Sequence, residues 1–396
     1  MKIAGIIAEY NPFHRGHAYH IAETRRLLGE DCVILAAMSG NFVQRGSPAI
    51  FSKHARAAAA VRCGADLVLE LPAVRSVSSA ERFADGGVTL LGSLGVCTHL
   101  SFGSECGDAE KLGRAADALT CPELDGYIKE ELSGGVSYAS ARQRALERMG
   151  EWAPVTPNDI LGVEYIKAIR SHGFDMEPVT VKREGGQHDS KEKGASASYV
   201  RGLYKAGEEP RELVPAEALE IFRAEISSGR GPVFTEDMEQ CMLSRLRSMT
   251  EEEYAALPDG GEGLYMRMMR FGKSEADVDT LIELVKTKRY AMSRIRRMVM
   301  AAYLGITADA QRERLPYIKV LALNDRGRGV LAMAAERSVL PILTKPASVK
   351  DISPAAEAFY RREAVMTDLY TLAYPGVRER RGGSDWTTSP VYIPEK

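Results

Sequence analysis

Short apolar runs and longer amphipathic stretches alternate over the first two hundred residues. Ile3–Ala8, Cys32–Met38, Asp66–Leu71 and Thr98–Phe102 are apolar runs of strand length, bounded by glycine, proline or polar clusters. Between them, apolar residues recur at helical spacing from Ala18 to about Leu28, over Lys53–Cys63 and over Ser79–Leu94. Helical segments fill most of 107–171, and Pro178–Arg183 reads as one more strand. Apolar strands separated by helices of about 12 residues predict an α/β fold with a Rossmann-like, doubly wound parallel sheet. Such sheets bind ligands beyond the carboxyl ends of their strands. The loops 11–17, 39–48, 103–105 and 183–190 all follow strands, so they are expected to converge on one rim.

From about Leu203 the pattern changes. Segments 212–227, 235–249, 251–256, 264–271, 274–287, 288–304 and 328–337 have helical periodicity, with a short strand expected near Tyr317–Leu323. The reading is a catalytic domain over 1–205 and a separate, mainly helical domain over 206–396. The tail after Pro375 is expected to be loosely ordered.

Composition adds limits. The chain has 396 residues, enough for two or three cores. Its 45% hydrophobic and 27% charged residues are ordinary for a soluble globular protein. A formal net charge of −2 argues against coating nucleic acid through bulk charge, but leaves room for a local basic patch. Six scattered cysteines with no C-x-x-C pair suit reduced thiols in a reducing compartment. There is no signal-peptide layout, and no apolar run approaches the ~18 residues that span a bilayer. A cytoplasmic protein without membrane contact is expected.

The candidate chemistry starts at His14-Arg15-Gly16-His17. Asn11-Pro12 breaks the first strand, Gly16 permits a tight turn, and the helix follows, so both histidines sit at a helix N-terminus. Free N–H groups and the helix dipole attract anions there. Imidazoles at that position can donate to phosphate as charge builds during attack on a nucleoside triphosphate. The plain alternative is a helix cap with two surface histidines. A metal site is disfavoured. His14 and His20 face directions about 120° apart on a helix, and no carboxylate stands at zinc-protease spacing.

Ser196-Ala-Ser-Tyr-Val-Arg201 is the second element. Ser198 is expected to cap a helix whose first turn carries Arg201, and Arg201 can clamp phosphate oxygens. In the third, Gly40–Gly46 with Lys53–Arg56, Arg45 and Lys53 can face an anionic substrate or an RNA phosphate, or simply form a solvated loop and helix start. Glu9 and Asp66 can orient either histidines or backbone. Lys286–Arg297 holds six basic residues and no acidic one in twelve. Ala291, Ile295 and Met298 fit one stripe of a helix, leaving a single-sign face suited to an RNA backbone.

The His-x-Gly-His and Ser-x-x-Arg elements together resemble the class I nucleotidylyltransferase pattern. The longer strings Ala8–His17, Ser39–Gly46, Gly64–Pro72, Ser101–Glu105, Pro157–Gly162 and Lys288–Arg297 resemble the tRNA(Met) cytidine acetate ligase family. That resemblance covers most of the chain and is strongest in the first two hundred residues. It implies an enzyme that activates acetate with ATP, releases pyrophosphate, and acetylates a wobble cytidine of elongator tRNA(Met), leaving N4-acetylcytidine and AMP. It implies ATP-binding roles for Ile7, Ala8, Glu9, Tyr10, Asn11, Pro12, Phe13, His14, Arg15, Gly16, His17, Ala18, Tyr19 and His20, and for Gly103, Asn158, Arg183 and Glu184, with Ser198 beside them. His14, His17 and Arg201 are the catalytic candidates. Gly16 and Gly103 would let backbone approach the nucleotide, and Asn158 would bond ribose or base.

Mg²⁺ is expected with the leaving pyrophosphate, its protein ligands unassigned. Lys288, Arg289, Arg294, Arg296 and Arg297 are the tRNA-binding candidates. Ser198 stands where the family often has Thr. Gln187-His188-Asp189 is expected to close over the nucleotide. The alternatives are a small-molecule adenylyltransferase, which does not need so large a helical half, and a non-catalytic tRNA- or nucleotide-binding protein, which seldom needs so many phosphate-directed groups.

Overall fold

A computed structural model describes residues 1–136, 138–182 and 196–394. The predicted strands form β1 (Ile3–Ala8) and β2 (Val33–Ser39). The glycine-rich loop after β2 folds back as a small hairpin, β3 (Phe42–Val43) against β4 (Ser47–Pro48). Then come β5 (Leu67–Leu71), β6 (His99–Ser104) and β7 (Glu177–Lys182). The helices between them are α1 (Arg15–Leu28), α2 (Lys53–Arg62), the single turn α3 (Ala73–Ser76), α4 (Ala80–Ser93), α5 (Ala109–Ala118), α6 (Pro122–Ser133), α7 (Tyr138–Arg148) and α8 (Pro157–His172).

The parallel order is β5-β2-β1-β6-β7, with Ile3 opposite Val33 and Ala4 opposite His99. The winding reverses between β1 and β6, the switch point outside whose strand carboxyl ends sheets of this kind bind ligands. Period-2 alternation divides the sheet between two cores. Ile3, Ile7, Leu35 and Leu69 join one cluster, while Ala4, Ile6, Ile34 and Val68 join the other.

The second half supplies α9 (Ala197–Lys205), α10 (Ala216–Ser227), α11 (Glu239–Ser248), α12 (Glu251–Ala255), α13 (Leu264–Ser274), α14 (Val278–Val285) and α15 (Met292–Leu304). It then returns to the sheet. β8 (Ile318–Leu323) runs antiparallel beside β5. β9 (Ile342–Leu343) and β10 (Val391–Tyr392) both pair with β8, with α16 (Asp325–Ala334), α17 (Pro354–Thr371) and α18 (Ser384–Thr387) between or beside them.

Several expectations are corrected. The sheet crosses the boundary drawn at about residue 205, and one apolar cluster runs from Ile3 through Leu304 to Tyr374, so the helical half shares its core with the sheet. The described tail, residues 376–394, is ordered. Asp385 is 1% exposed, and β10 extends the sheet. The helix expected from residue 288 begins at Met292, with Lys288 and Arg289 in the preceding turn. α17, which opens on a Ser353 cap followed by Pro354, had not been predicted.

Asp385 completes a buried square of charges. Lys53 Nζ lies 2.7 Å from both Glu70 Oε1 and Asp385 Oδ1. Lys319 Nζ lies 3.1 Å from Glu70 Oε2 and 2.9 Å from Asp385 Oδ2. Lys53, one of the residues expected to face a substrate, is instead 1% exposed and fully paired. The six cysteines are free thiols. Among the described residues no helix is long and apolar enough to cross a membrane.

Candidate active site

The turn between β1 and α1 is built on aromatic packing. Tyr10 and Phe13 are buried, with ring centroids 4.9 Å apart. The His17 ring packs on both, at 4.9 Å from Tyr10 and 5.5 Å from Phe13. His14 is the N-cap of α1. Its Nδ1 accepts the Gly16 N–H at 3.0 Å, while His17 Nδ1 accepts the His14 N–H at 3.2 Å. The two rings stack at 3.8 Å. A nitrogen that accepts an N–H carries no proton, so these bonds assign each neutral ring its proton on Nε2. Both imidazoles thus become donors at the anion-attracting end of a helix. Gly16 is required for this. A Cβ there would stand 2.8 Å from His14 Cε1 and push the ring off its cap.

Two arginines bind this turn to its surroundings. Arg201 on α9 donates to the Asn11 carbonyl at 2.7 Å and to Ser198 Oγ at 3.0 Å. The distant Ser-x-x-Arg element therefore meets the His-x-Gly-His turn directly. Burial pushes the Arg201 guanidinium down, Glu9 pushes it back up, and Arg45 lowers it again. The cap of α9 is Ser196, whose Oγ accepts the Tyr199 N–H at 3.2 Å. Ser198, expected to be the cap, stands one step inside the helix, exposed, because the chain enters its helical turn earlier than the pattern suggested.

Arg56 is fully buried, donating to the Glu9, Ser39, Gly40 and Phe51 carbonyls. It pins the ends of β1 and β2, and burial pushes it down to about 10. Glu9 Oε1 accepts the Gln44 N–H at 2.9 Å, and Asp66 Oδ2 accepts the Ile34 N–H at 2.7 Å. Both acids orient backbone.

On the β6 side of the switch point, the loop after β6 is held by the first turn of α8. Asn158 Nδ2 donates to Glu105 Oε1 at 2.6 Å. Asp159 is buried and accepts from Ser104 Oγ at 2.5 Å and from the Glu105 and Cys106 N–H groups at 3.1 and 3.3 Å. Burial raises the Asp159 carboxyl, but bonds from Ser104 and Thr156 outweigh it and hold the group below its usual range. Glu105, Thr156, Asp159 and Arg56 were missed as contributors. Glu105, Asp159 and Arg56 lie inside strings already singled out, but Arg56 was given no role of its own because nothing local marks its buried carbonyl partners.

The other expected ATP-site residues fall in different places. Ile7 packs beneath Gly87, where a Cβ would stand 2.7 Å from Ile7 Cδ1. The Asn11 side chain accepts the Ile50 N–H at 2.9 Å. Arg15 Nε donates to the Glu212 carbonyl at 2.8 Å, tying α1 to the segment before α10. His20 Nε2 lies 3.0 Å from Ser101 Oγ, against the sheet. Tyr19 is exposed, and Ala18 half-buried. Pro12 follows a cis peptide bond. Gly103 pairs with Val181 on β7. Arg183, Glu184 and Gln187-His188-Asp189 lie outside the described residues.

On α15, the basic candidates divide. Arg297 Nε pairs with Asp259 Oδ2 at 2.9 Å and is buried. Arg294 Nε donates to the Asp259 carbonyl at 2.9 Å, and its guanidinium lies 3.2 Å from Glu262. Lys288, Arg289 and Arg296 are exposed.

Comparison with known proteins agrees with this architecture. The profile of the HIGH Nucleotidyl Transferase family matches residues 1–385. A protein of Acetivibrio thermocellus named tRNA(Met) cytidine acetate ligase is 34% identical over 416 residues, covering 99% of this chain and all of the relative. One of the same name from Caldanaerobacter subterraneus is 38% identical over 388 residues, covering 94% and 96%. The crystal structure of Thermotoga maritima TmcAL bound with alpha-thio ATP superposes with a TM-score of 0.92 at 34% identity, both chains fully covered. The chain belongs to the HIGH nucleotidyltransferase family and, within it, to the tRNA(Met) cytidine acetate ligases, a family of enzymes.

Proposed function

We propose that this enzyme joins acetate to the N4 amine of the wobble cytidine in elongator tRNA(Met) at the expense of ATP. An acetate oxygen attacks the α-phosphorus, the bond to the bridging oxygen breaks, and pyrophosphate leaves. The cytidine N4 then attacks the acetyl carbonyl, AMP departs with the carbonyl–oxygen electron pair, and N4 loses a proton. The single observation that carries the reading is the stacked His14–His17 pair, both Nδ1 atoms committed to backbone N–H groups. With Nδ1 accepting, each neutral ring carries its proton on Nε2, the donor that the proposal assigns to stabilising charge on the phosphates during adenylation. Arg201 adds a fixed positive charge beside them.

Family membership supports tRNA as acceptor, and the exposed Lys288, Arg289 and Arg296 suit its backbone. The proposal divides labour by function and not by separate cores: the groups within 1–205 serve adenylation, and the helices within 206–396, which share the core of the sheet, serve RNA. Mg²⁺ enters as the counter-ion of ATP. Among the described residues, no group of three or more His, Cys, Asp or Glu side chains is placed to hold a metal. The reading puts the enzyme in the cytoplasm, beside its tRNA and ATP.

Trapping tests the first step. With ATP, acetate and hydroxylamine, the enzyme should release acetohydroxamate and pyrophosphate in equal amounts, with tRNA supplied in a parallel reaction. Pyrophosphate without hydroxamate in both reactions would contradict an acetyl-adenylate.

A further inference from the structure

The turn Gln44-Arg45-Gly46 touches both halves of the proposed reaction. On one side the Gln44 N–H is bonded to Glu9 Oε1 at 2.9 Å, in the segment that leads to His14 and His17. On the other, Gly46 lies directly against α15. Its φ is +76°, and a Cβ there would stand 2.6 Å from the Arg296 carbonyl carbon and oxygen and from the Arg297 nitrogen. Only glycine allows so close an approach in that conformation. Arg45, between these two anchored residues, is exposed.

Its charge also reaches Arg201, whose guanidinium is already fixed on the Asn11 carbonyl. Two guanidiniums within electrostatic reach of one another repel, and an anion taken up by either relieves that cost. In the proposed reaction the ATP phosphates lie on the α1 side, beside His14, His17 and Arg201. The RNA backbone then takes the α15 side, where Arg296 is exposed.

We propose that Arg45 holds the RNA phosphate adjoining the reacting cytidine, at the seam between the adenylate site and the basic face of α15. This rests on the acetyl-transfer reading above. Anchoring that phosphate would fix the base relative to the acetyl carbon, because a nucleotide's phosphate and base are linked through one ribose. Arg45 is then an RNA-binding residue, distinct from the groups that grip ATP.

The test compares wild type with Arg45→Ala and Arg45→Lys. ATP affinity is measured by titration calorimetry without RNA. Affinity for an elongator tRNA(Met) transcript is measured by filter binding across a salt series, and acetyl transfer by its kcat and KM. Arg45→Ala should keep ATP affinity within about twofold, weaken tRNA binding about tenfold, and lower the salt slope by about one phosphate contact. Arg45→Lys should keep the salt slope and recover part of the affinity. Weakened ATP binding with unchanged tRNA binding would assign Arg45 to the triphosphate and overturn the proposal, as would no change in either. If wild type fails to acetylate tRNA, the acetyl-transfer reading itself fails. If wild type acetylates and Arg45→Ala matches it, this inference alone falls.

Discussion

The imidazoles of His14 and His17 stack with centroids 3.8 Å apart, and each places its Nδ1 on a backbone N–H of the same turn. One ring pair therefore caps the helix and, in the proposed reaction, also serves the phosphates. The two tasks can be separated. Asn caps a helix about as well as any residue but lacks an imidazole donor. His14→Asn should leave Tm within about 2 °C and lower kcat for acetyl transfer by about 10²–10³. His14→Ala should lose both, costing about 1 kcal/mol of stability as well. Equal Tm losses for the two variants would refute the capping role.

Gly16 gives a sharper probe of ring placement. Alanine suits a helix interior better than glycine by about 1 kcal/mol, yet its Cβ would meet His14 Cε1 at 2.8 Å. Gly16→Ala should fold with Tm about unchanged, the gain in helix propensity offsetting the lost cap, and lose at least about tenfold in kcat as the ring swings off its cap. Full activity would mean that the observed ring position is not needed.

Much of the site was legible because its pieces are local. His14, Gly16 and His17 sit within one turn, and strand-to-helix punctuation locates that turn directly. The meeting of Arg201 with the Asn11 carbonyl was legible only through the paired motifs, since nothing in the spacing of residues 11 and 201 implies contact. The fold divides in the same way. β1, β2, β5, β6 and β7 announce themselves as apolar runs. β8 also does, but its antiparallel place beside β5 is a long-range pairing that no local pattern encodes. The tail reads as disordered because Arg378–Arg381 is polar and glycines follow. Its anchors are long-range: the Asp385 carboxylate, whose partners lie on α2 and β8, and the pairing of β10 with β8.

That anchor should matter greatly. Replacing Asp385 leaves Lys53 and Lys319 buried with Glu70 alone. Asp385→Ala should lose about 3–5 kcal/mol in denaturant unfolding, the cost of breaking a buried ion pair. Burial raises the Asp385 carboxyl, but Lys319 and Lys53 outweigh it and hold the group well below its ordinary value of 3.8. Its folded value lies below its unfolded one, so this stability is present above about pH 4 and fades in stronger acid. A loss under about 1 kcal/mol would show the square to be dispensable.

Glu363 behaves oppositely. Its carboxylate accepts the Ala73 and Val74 N–H groups at 2.7 and 3.2 Å, while burial, with Glu70 adding to it, pushes it up from 4.5 to about 7. The folded value lies above the unfolded one, so its contribution is complete below pH 4.5 and lost as pH rises through 7. The Tm of wild type minus that of Glu363→Gln should therefore fall between pH 5 and pH 8. A difference independent of pH would contradict the shift.

The basic residues of α15 and of the turn before it should divide by their partners. Reversing the exposed Lys288, Arg289 and Arg296 to Glu should leave Tm unchanged and lower the salt slope of tRNA binding by about three contacts. Arg297→Ala breaks the Asp259 pair and should cost about 1–3 kcal/mol of stability. Equal effects of both sets on tRNA affinity, with Tm unchanged throughout, would show that the observed pairing does not govern their roles.

The central claim is tested most directly by incubating the enzyme with labelled acetate, ATP, Mg²⁺ and total tRNA, beside a reaction lacking ATP. The account predicts ATP-dependent label in tRNA, recovered after digestion as N4-acetylcytidine. No label in tRNA, with robust pyrophosphate exchange on another small substrate, would contradict it and make the enzyme an adenylyltransferase.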